Sequence, residues 1–464
     1  MLLPLSDISS LRLTNRCLAS NTAQKHLKAK FRTKRVNLTE QRPRSFIDVT
    51  AYDGLGCLIQ DLTLIAPVYN TSDLTARLGE NSVRVAKLDE AGAFTGLEYR
   101  DLTEEQAAQT KLDLQVLQER RAEQLDLFSH RRDIRLLAEA FSNLATHGAT
   151  LRTLRVEVEV YKDDTITPLL PLFGGHWEPI WAGAAHASRT LFASLASCGL
   201  PVLSLDLFNS SRMLRCSLSC NELNSVSFAS GTLGSSLGHL TELSLSVSAE
   251  VMQETNSDGL QSFLRTCSSI RRLDLVHFSM DYVEDSRAQD GRILRALGES
   301  SLPCLQDLTL QGFKVTEDAL MVLLQGLEKV QSLSLRYIKL TEGSFKRVLD
   351  YCTVQAAMEQ VKLDSLFERR ILQFEPPWVV GPGFVPGNPP MGYYPGSRAF
   401  YLRSLASAAG YLIGHHVYRG HSLDSPVIKA WAQDLRNWFG LLPEEGKPSC
   451  LQPYVRPEQT WRYR

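Results

Sequence analysis

Apolar residues recur along this chain as triplets with the spacing apolar-x-x-apolar-x-apolar. The hexapeptides Ile59–Leu64 (IQDLTL) and Leu305–Leu310 (LQDLTL) are near-identical examples about half the chain apart. The same spacing returns at Leu151-Leu154-Val156, Val202-Leu205-Leu207, Leu223-Val226-Phe228, Leu240-Leu243-Leu245, Ile270-Leu273-Leu275, Val330-Leu333-Leu335 and Met358-Val361-Leu363. Within each triplet the last two apolar positions alternate with other residues, which is the period of a half-buried strand. Most triplets follow a segment with apolar residues at helical spacing: LFASLASCG, GLQSFLRTC, RILRALG, ALMVLLQGL and SFKRVLDYC. The offset from the last helical leucine to the central strand position changes little, from Leu195 to Leu205, Leu264 to Leu273, Leu297 to Leu308, Leu324 to Leu333 and Leu349 to Val361. A helix, a short turn and a short strand thus recur with a period of about 25 to 35 residues.

That repeat resembles the leucine-rich-repeat family. The resemblance implies an α/β solenoid in which parallel strands line a concave face and helices lie outside, because one helix–strand unit cannot bury its apolar face alone. The Asn or Cys that usually follows the strand is not regularly present, so the repeat is an irregular one. A doubly wound α/β fold also alternates helix and strand, but no G-x-G-x-x-G turn follows any of these strands.

Between Leu64 and Leu151 the strand rhythm stops. Thr103 with Gln106 forms a capping-box pattern, and the Ala, Leu, Gln and Glu content predicts helix through much of 104–147. An apolar stripe is expected at Leu114, Leu117, Leu125, Phe128, Leu136, Leu137, Phe141 and Leu144, with Glu119, Arg120, Arg121, Arg131 and Arg132 outside. This reads as an inserted long helix or helical pair. Residues 375–396 hold Pro and Gly too densely for helix or sheet and read as a loop docked through Trp378, Phe384, Tyr393 and Tyr394, or as a polyproline segment. Helical spacing resumes after 401 with Ala430, Trp431, Leu435, Trp438 and Phe439, as expected of a C-terminal cap.

The segment Pro4–Leu38 reads as a helix starting near Asp7, then a basic stretch and a strand. Its opening, PLSDISSLRLTNRCLA, resembles the second half of a fungal-type F-box, and Phe31-Arg32 with Val36 matches the family's continuation. The family's first helix would precede residue 1, so the resemblance covers an N-terminally incomplete F-box. It implies docking to the Skp1-type adaptor of a cullin-RING ubiquitin ligase, with Leu3, Pro4, Leu5, Ile8 and Leu11 at the adaptor contact and the repeats choosing a protein substrate. Without adaptor binding the same segment serves as a helical cap on the first repeat.

Charge and cysteine usage narrow the alternatives. Lys+Arg 50 against Asp+Glu 51 leaves a formal charge of -1 over 464 residues, so no global field favours nucleic acid or an anionic membrane. The basic stretch Lys25–Arg35 is expected to be solvated charge. Nine cysteines lack paired CxxC spacing, which argues for reduced thiols in a cytoplasmic or nuclear protein rather than a disulfide or zinc framework. Cys216 and Cys220 have no second ligand pair, and His415, His416 and His421 have no carboxylate at ligand spacing, so no metal or cofactor is expected. The N-terminus lacks a signal-peptide pattern, and no window approaches the ~18 apolar residues of a membrane span. G-x-S-x-G, Walker A, H-E-x-x-H and Cys–His signatures are all missing, so no enzymatic role and no catalytic residue is expected.

The functional expectation therefore falls on the strand face opposite the leucines. Its residues include Glu242, Ser244 and Ser246; Arg272 and Asp274; Asp307, Thr309 and Gln311; Ser332, Ser334 and Arg336; and Gln360, Lys362 and Asp364. Mixed charges and hydroxyls suit a protein or peptide partner better than a phosphate backbone. The expected organisation is a partial F-box-like segment at 1–38, first repeat-like units at 39–98, a helical insertion at 99–148, leucine-rich repeats at 149–366, the Pro/Gly-rich loop at 367–400 and a helical cap at 401–464. The expected function is an F-box-type substrate receptor, with a repeat scaffold lacking a ligase partner as the alternative.

Overall fold

The computed structural model describes residues 31–51, 58–88, 94–161, 178–209, 216–228, 231–249, 257–279, 287–355, 357–364, 366, 400–403, 412–413 and 461–462. The adaptor positions Leu3, Pro4, Leu5, Ile8 and Leu11, the histidines 415, 416 and 421, the loop 375–396 and most of 401–464 lie outside them. The chain divides into two compact units, Met1–Val202 with Ser210–Cys216, and Leu203–Asn209 with Ser217–Arg464. Both are α/β with mostly parallel strands.

In the first unit, strands β1 (Thr33–Asn37), β2 (Asp61–Tyr69) and β5 (Thr153–Tyr161) run parallel in the order β1-β2-β5. β1 is the strand expected after the basic stretch. The opening hexapeptide supplies β2, and Leu62 and Leu64 stand opposite Leu154 and Val156, all buried. Helix α5 (Glu178–Cys198) packs on β2 and β5. Gly183 allows that approach, since a Cβ there would stand 2.6 Å from Val68 Cγ2. On the other strand face, Arg35 reaches two buried carboxylates, Glu159 Oε1 at 3.0 Å and Glu157 Oε2 at 3.2 Å.

The region between β2 and β5 holds more than the expected helical insertion. Helix α2 (Ser72–Glu80) follows β2, and an antiparallel hairpin joins β3 (Ser82–Leu88) to β4 (Phe94–Asp101), while helix α1 (Gln41–Ala51) lies earlier, between β1 and β2, and packs on β1. Then come α3 (Glu104–Ser129) and α4 (Arg132–Thr146). The capping box closes as predicted, with Thr103 Oγ1 accepting the Gln106 N–H and the Gln106 side chain accepting the Thr103 N–H. The helix breaks at Arg131, whose φ of 51° is left-handed. The break turns the predicted stripe at its centre: Leu125 is 57% exposed, and Leu127 is buried in its place. Arg132, expected outside, is held at the break by Asp126 and Glu40.

In the second unit, β6 (Ser204–Leu207), β8 (Glu242–Ala249), β9 (Arg272–Ser279), β10 (Asp307–Gln311), β12 (Ser332–Arg336) and β14 (Gln360–Asp364) form a continuous parallel series in that order. Each of these strands is one of the predicted triplets. Two apolar rows cross it: Leu205, Leu243, Leu273, Leu308, Leu333 and Val361, then Leu207, Leu245, Leu275, Leu310, Leu335 and Leu363. Every one of these is at most 1% exposed. Helices α8 (Asp258–Thr266), α9 (Arg287–Gly298), α10 (Glu317–Gly326) and α11 (Phe345–Val354) pack each on the next and contribute buried leucines to the same core.

One triplet is not a strand. Leu223-Val226-Phe228 lies in and after the short helix α6 (Cys220–Asn224), with the two-residue strand β7 (Leu218–Ser219) before it. Ser219 Oγ accepts the Asn221 N–H and caps the helix, so local capping wins over the triplet spacing. Leu223 and Phe228 are nevertheless buried. Helix α7 (Gly231–Leu237) then leads to β8. Strands β11 (Lys314–Thr316) and β13 (Lys339–Glu342) pair parallel beyond β10 and β12. Phe313 and Ile338, each three residues after the last leucine of its strand, are buried at 0% and 1% exposure. Within 400–464, the described residues are strands: β15 (Phe400–Arg403), antiparallel to β14, and β16 (Leu412–Ile413) paired with β17 (Trp461–Arg462).

Candidate functional site

The residues between the leucine rows come together on the opposite strand face, in register. One row reads Ser204, Glu242, Arg272, Asp307, Ser332 and Gln360, and the next Asp206, Ser244, Asp274, Thr309, Ser334 and Lys362. A third brings Ser246, Val276, Gln311, Arg336 and Asp364 into line. The predicted residues thus share one face because the strands are parallel and unstaggered, and a period of two sends every second side chain there. Ser246 departs from the expected exposure, being buried at 2%.

Arg272 is the pivot of the first row. Its guanidinium lies 3.4 Å from Glu242 Oε1 and 3.5 Å from Asp307 Oδ2, between strands on either side. The three side chains are 60%, 49% and 41% exposed, so these pairs are solvent-screened and worth little as glue. They do fix the charge pattern that the face presents.

The second row contains a more sheltered group around the expected Asp274, to which Asp206 and Asn209 add members that the expected set lacked. Phe208, directly after β6, has φ of 63°, a conformation that a bulky side chain adopts at a cost. The turn places Asn209 between two carboxylates: its backbone N–H donates to Asp206 Oδ1 at 3.1 Å, and Nδ2 donates to Asp274 Oδ2 at 2.9 Å. Burial pushes the Asp274 carboxyl up, against the Asn209 hydrogen bond and the Arg336 charge. Asp206 follows from the same two-residue rule as Ser244, applied to the triplet Val202-Leu205-Leu207. Asn209 is placed by a left-handed turn that no periodicity announces.

Two other groups bring ionisable side chains into the interior. In the first unit, Asp133, which is fully buried, accepts Thr190 Oγ1 at Oδ2 (2.7 Å), and His186 Nε2 lies 2.6 Å from the same oxygen. A nucleophilic relay needs a hydroxyl on one imidazole nitrogen and the acid on the other. Here the hydroxyl and Nε2 meet at one carboxylate oxygen, and Thr190 is fully buried, so the arrangement serves packing. In the second unit, His277 is fully buried, stacked on Phe313 at 5.2 Å, and burial holds its imidazole neutral with a pKa lowered to about 3.

Among the described residues, no group of three or more His, Cys, Asp or Glu side chains is placed to hold a metal ion, and no helix is long and apolar enough to cross a membrane. Cys216 and Cys220 are both buried. No protein-family model matches the sequence, and neither does any curated protein.

Proposed function

We propose that this protein is a non-enzymatic substrate receptor of the leucine-rich-repeat type, binding a protein partner on the polar face of the β6–β14 series. The observation that carries the reading is the register: charged and hydroxyl side chains from successive parallel strands align in rows on one face, while the opposite face is closed by leucine. Such a face offers many weak polar contacts spread over successive strands, which suits a macromolecular surface better than a small molecule. The second half of the proposal assigns the N-terminal segment, through its resemblance to an F-box, to a Skp1-type adaptor that would deliver the bound partner to a ubiquitin ligase. Neither nucleic acid nor membrane is a proposed partner.

The test compares adaptor binding by the full chain and by a chain beginning at Phe31, which keeps β1 and so leaves the sheet of the first unit intact. Binding by the full chain alone assigns the adaptor contact to residues 1–30. Binding by neither removes the ligase assignment and leaves a repeat scaffold.

A further inference from the structure

We draw no further inference here: the strongest candidate, the cavity that Leu302, Pro303, Leu305, Leu327 and Val330 line between the turns following α9 and α10, beside the exposed Cys304, is an apolar hollow next to a lone cysteine, and nothing in the structure shows what covers it.

Discussion

Asp133 and His186 meet between α4 and α5 with His186 Nε2 2.6 Å from Asp133 Oδ2, and Phe128 stacks on the imidazole with ring centroids 3.4 Å apart. Burial alone would push the Asp133 carboxyl up. Hydrogen bonds from His186 and Thr190, with the His186 charge and the Ile134 N–H, outweigh burial and hold it below the ordinary range. The carboxylate also sits in the first turn of α4, where the helix dipole favours negative charge. Asp133→Ala strands the buried Thr190 hydroxyl and the partly buried His186 imidazole and should cost about 3 kcal/mol. Asp133→Asn keeps one acceptor and should cost less. Because the folded pKa is depressed, the ionised carboxylate's stabilising contribution is fully present above the unfolded value near 3.9 and is lost as pH falls toward and through the lower folded value. Urea titrations at pH 7 and pH 3 check both points: Asp133→Asn should narrow its gap to the wild type at the lower pH.

Glu317 at the start of α10 and Gly343 in the turn before α11 form a contact in the second unit that a methyl group would break. Gly343 has φ of 86°, and a Cβ there would run into Glu317 Cβ and Oε2. Glu317 Oε2 accepts the Ser344 N–H at 2.7 Å at the start of α11, and Oε1 lies 2.8 Å from Arg347 Nη1. Gly343→Ala should therefore destabilise by about 2 kcal/mol through the backbone and the displaced carboxylate together. Glu317→Ala should cost about 1 kcal/mol in the wild type and less in the Gly343→Ala background, where the carboxylate has already moved. A double-mutant cycle by urea unfolding reads the coupling; additive costs would show that Glu317 does not feel the added methyl group.

The sequence made visible what repeats and left obscure what pairs once. Val202-Leu205-Leu207 through Met358-Val361-Leu363 became strands wherever a helix with apolar spacing preceded them, because stacking imposes one burial pattern on every unit. Leu223-Val226-Phe228 has the same spacing and is buried at both ends, but Ser219 caps a helix there, and spacing alone cannot rank a cap against a strand. β1 was legible as the strand that closes the basic stretch, whereas the β3–β4 hairpin had no sharp turn signal. On the polar face, the register supplied most of the candidate residues from period two. Asn209 needed the left-handed Phe208, and Asp133 needed His186 at a separation of 53 residues, so neither pairing leaves a local mark.

His277 should make the second unit sensitive to mild acid. Its folded pKa of about 3 against a reference of 6.5 means that the unfolded chain binds the extra proton between those values. Stability from this group is thus full above about pH 6.5 and falls as pH drops toward 3. The loss between pH 7 and pH 4 is on the order of 3 kcal/mol. His277→Phe retains a ring against Phe313 and removes the titration, so its stability should fall less steeply across that range in parallel melts. Equal slopes for the two proteins would mean that His277 titrates normally in the folded state.

Thiol reactivity should sort the described cysteines by burial. The thiolate is the reacting species, and it forms poorly where water is excluded. Burial pushes the Cys216 and Cys267 thiols up, and that of Cys352 up to about 12, while Cys198 is half-buried and raised to a lesser degree. Cys304 is exposed, in the turn before β10. Iodoacetamide applied to the native protein at pH 8 should alkylate Cys304 within minutes and Cys198 slowly. Cys216, Cys267 and Cys352 should react only after urea opens the leucine core, as peptide mass spectrometry can follow site by site. Because Cys267 and Cys352 sit in the packed interior of the second unit, their protection also reports its opening. Simultaneous release of Cys267 and Cys352 would mark the unit as cooperative, whereas early reaction of Cys352 alone would place the first opening at α11, the last helix of the series.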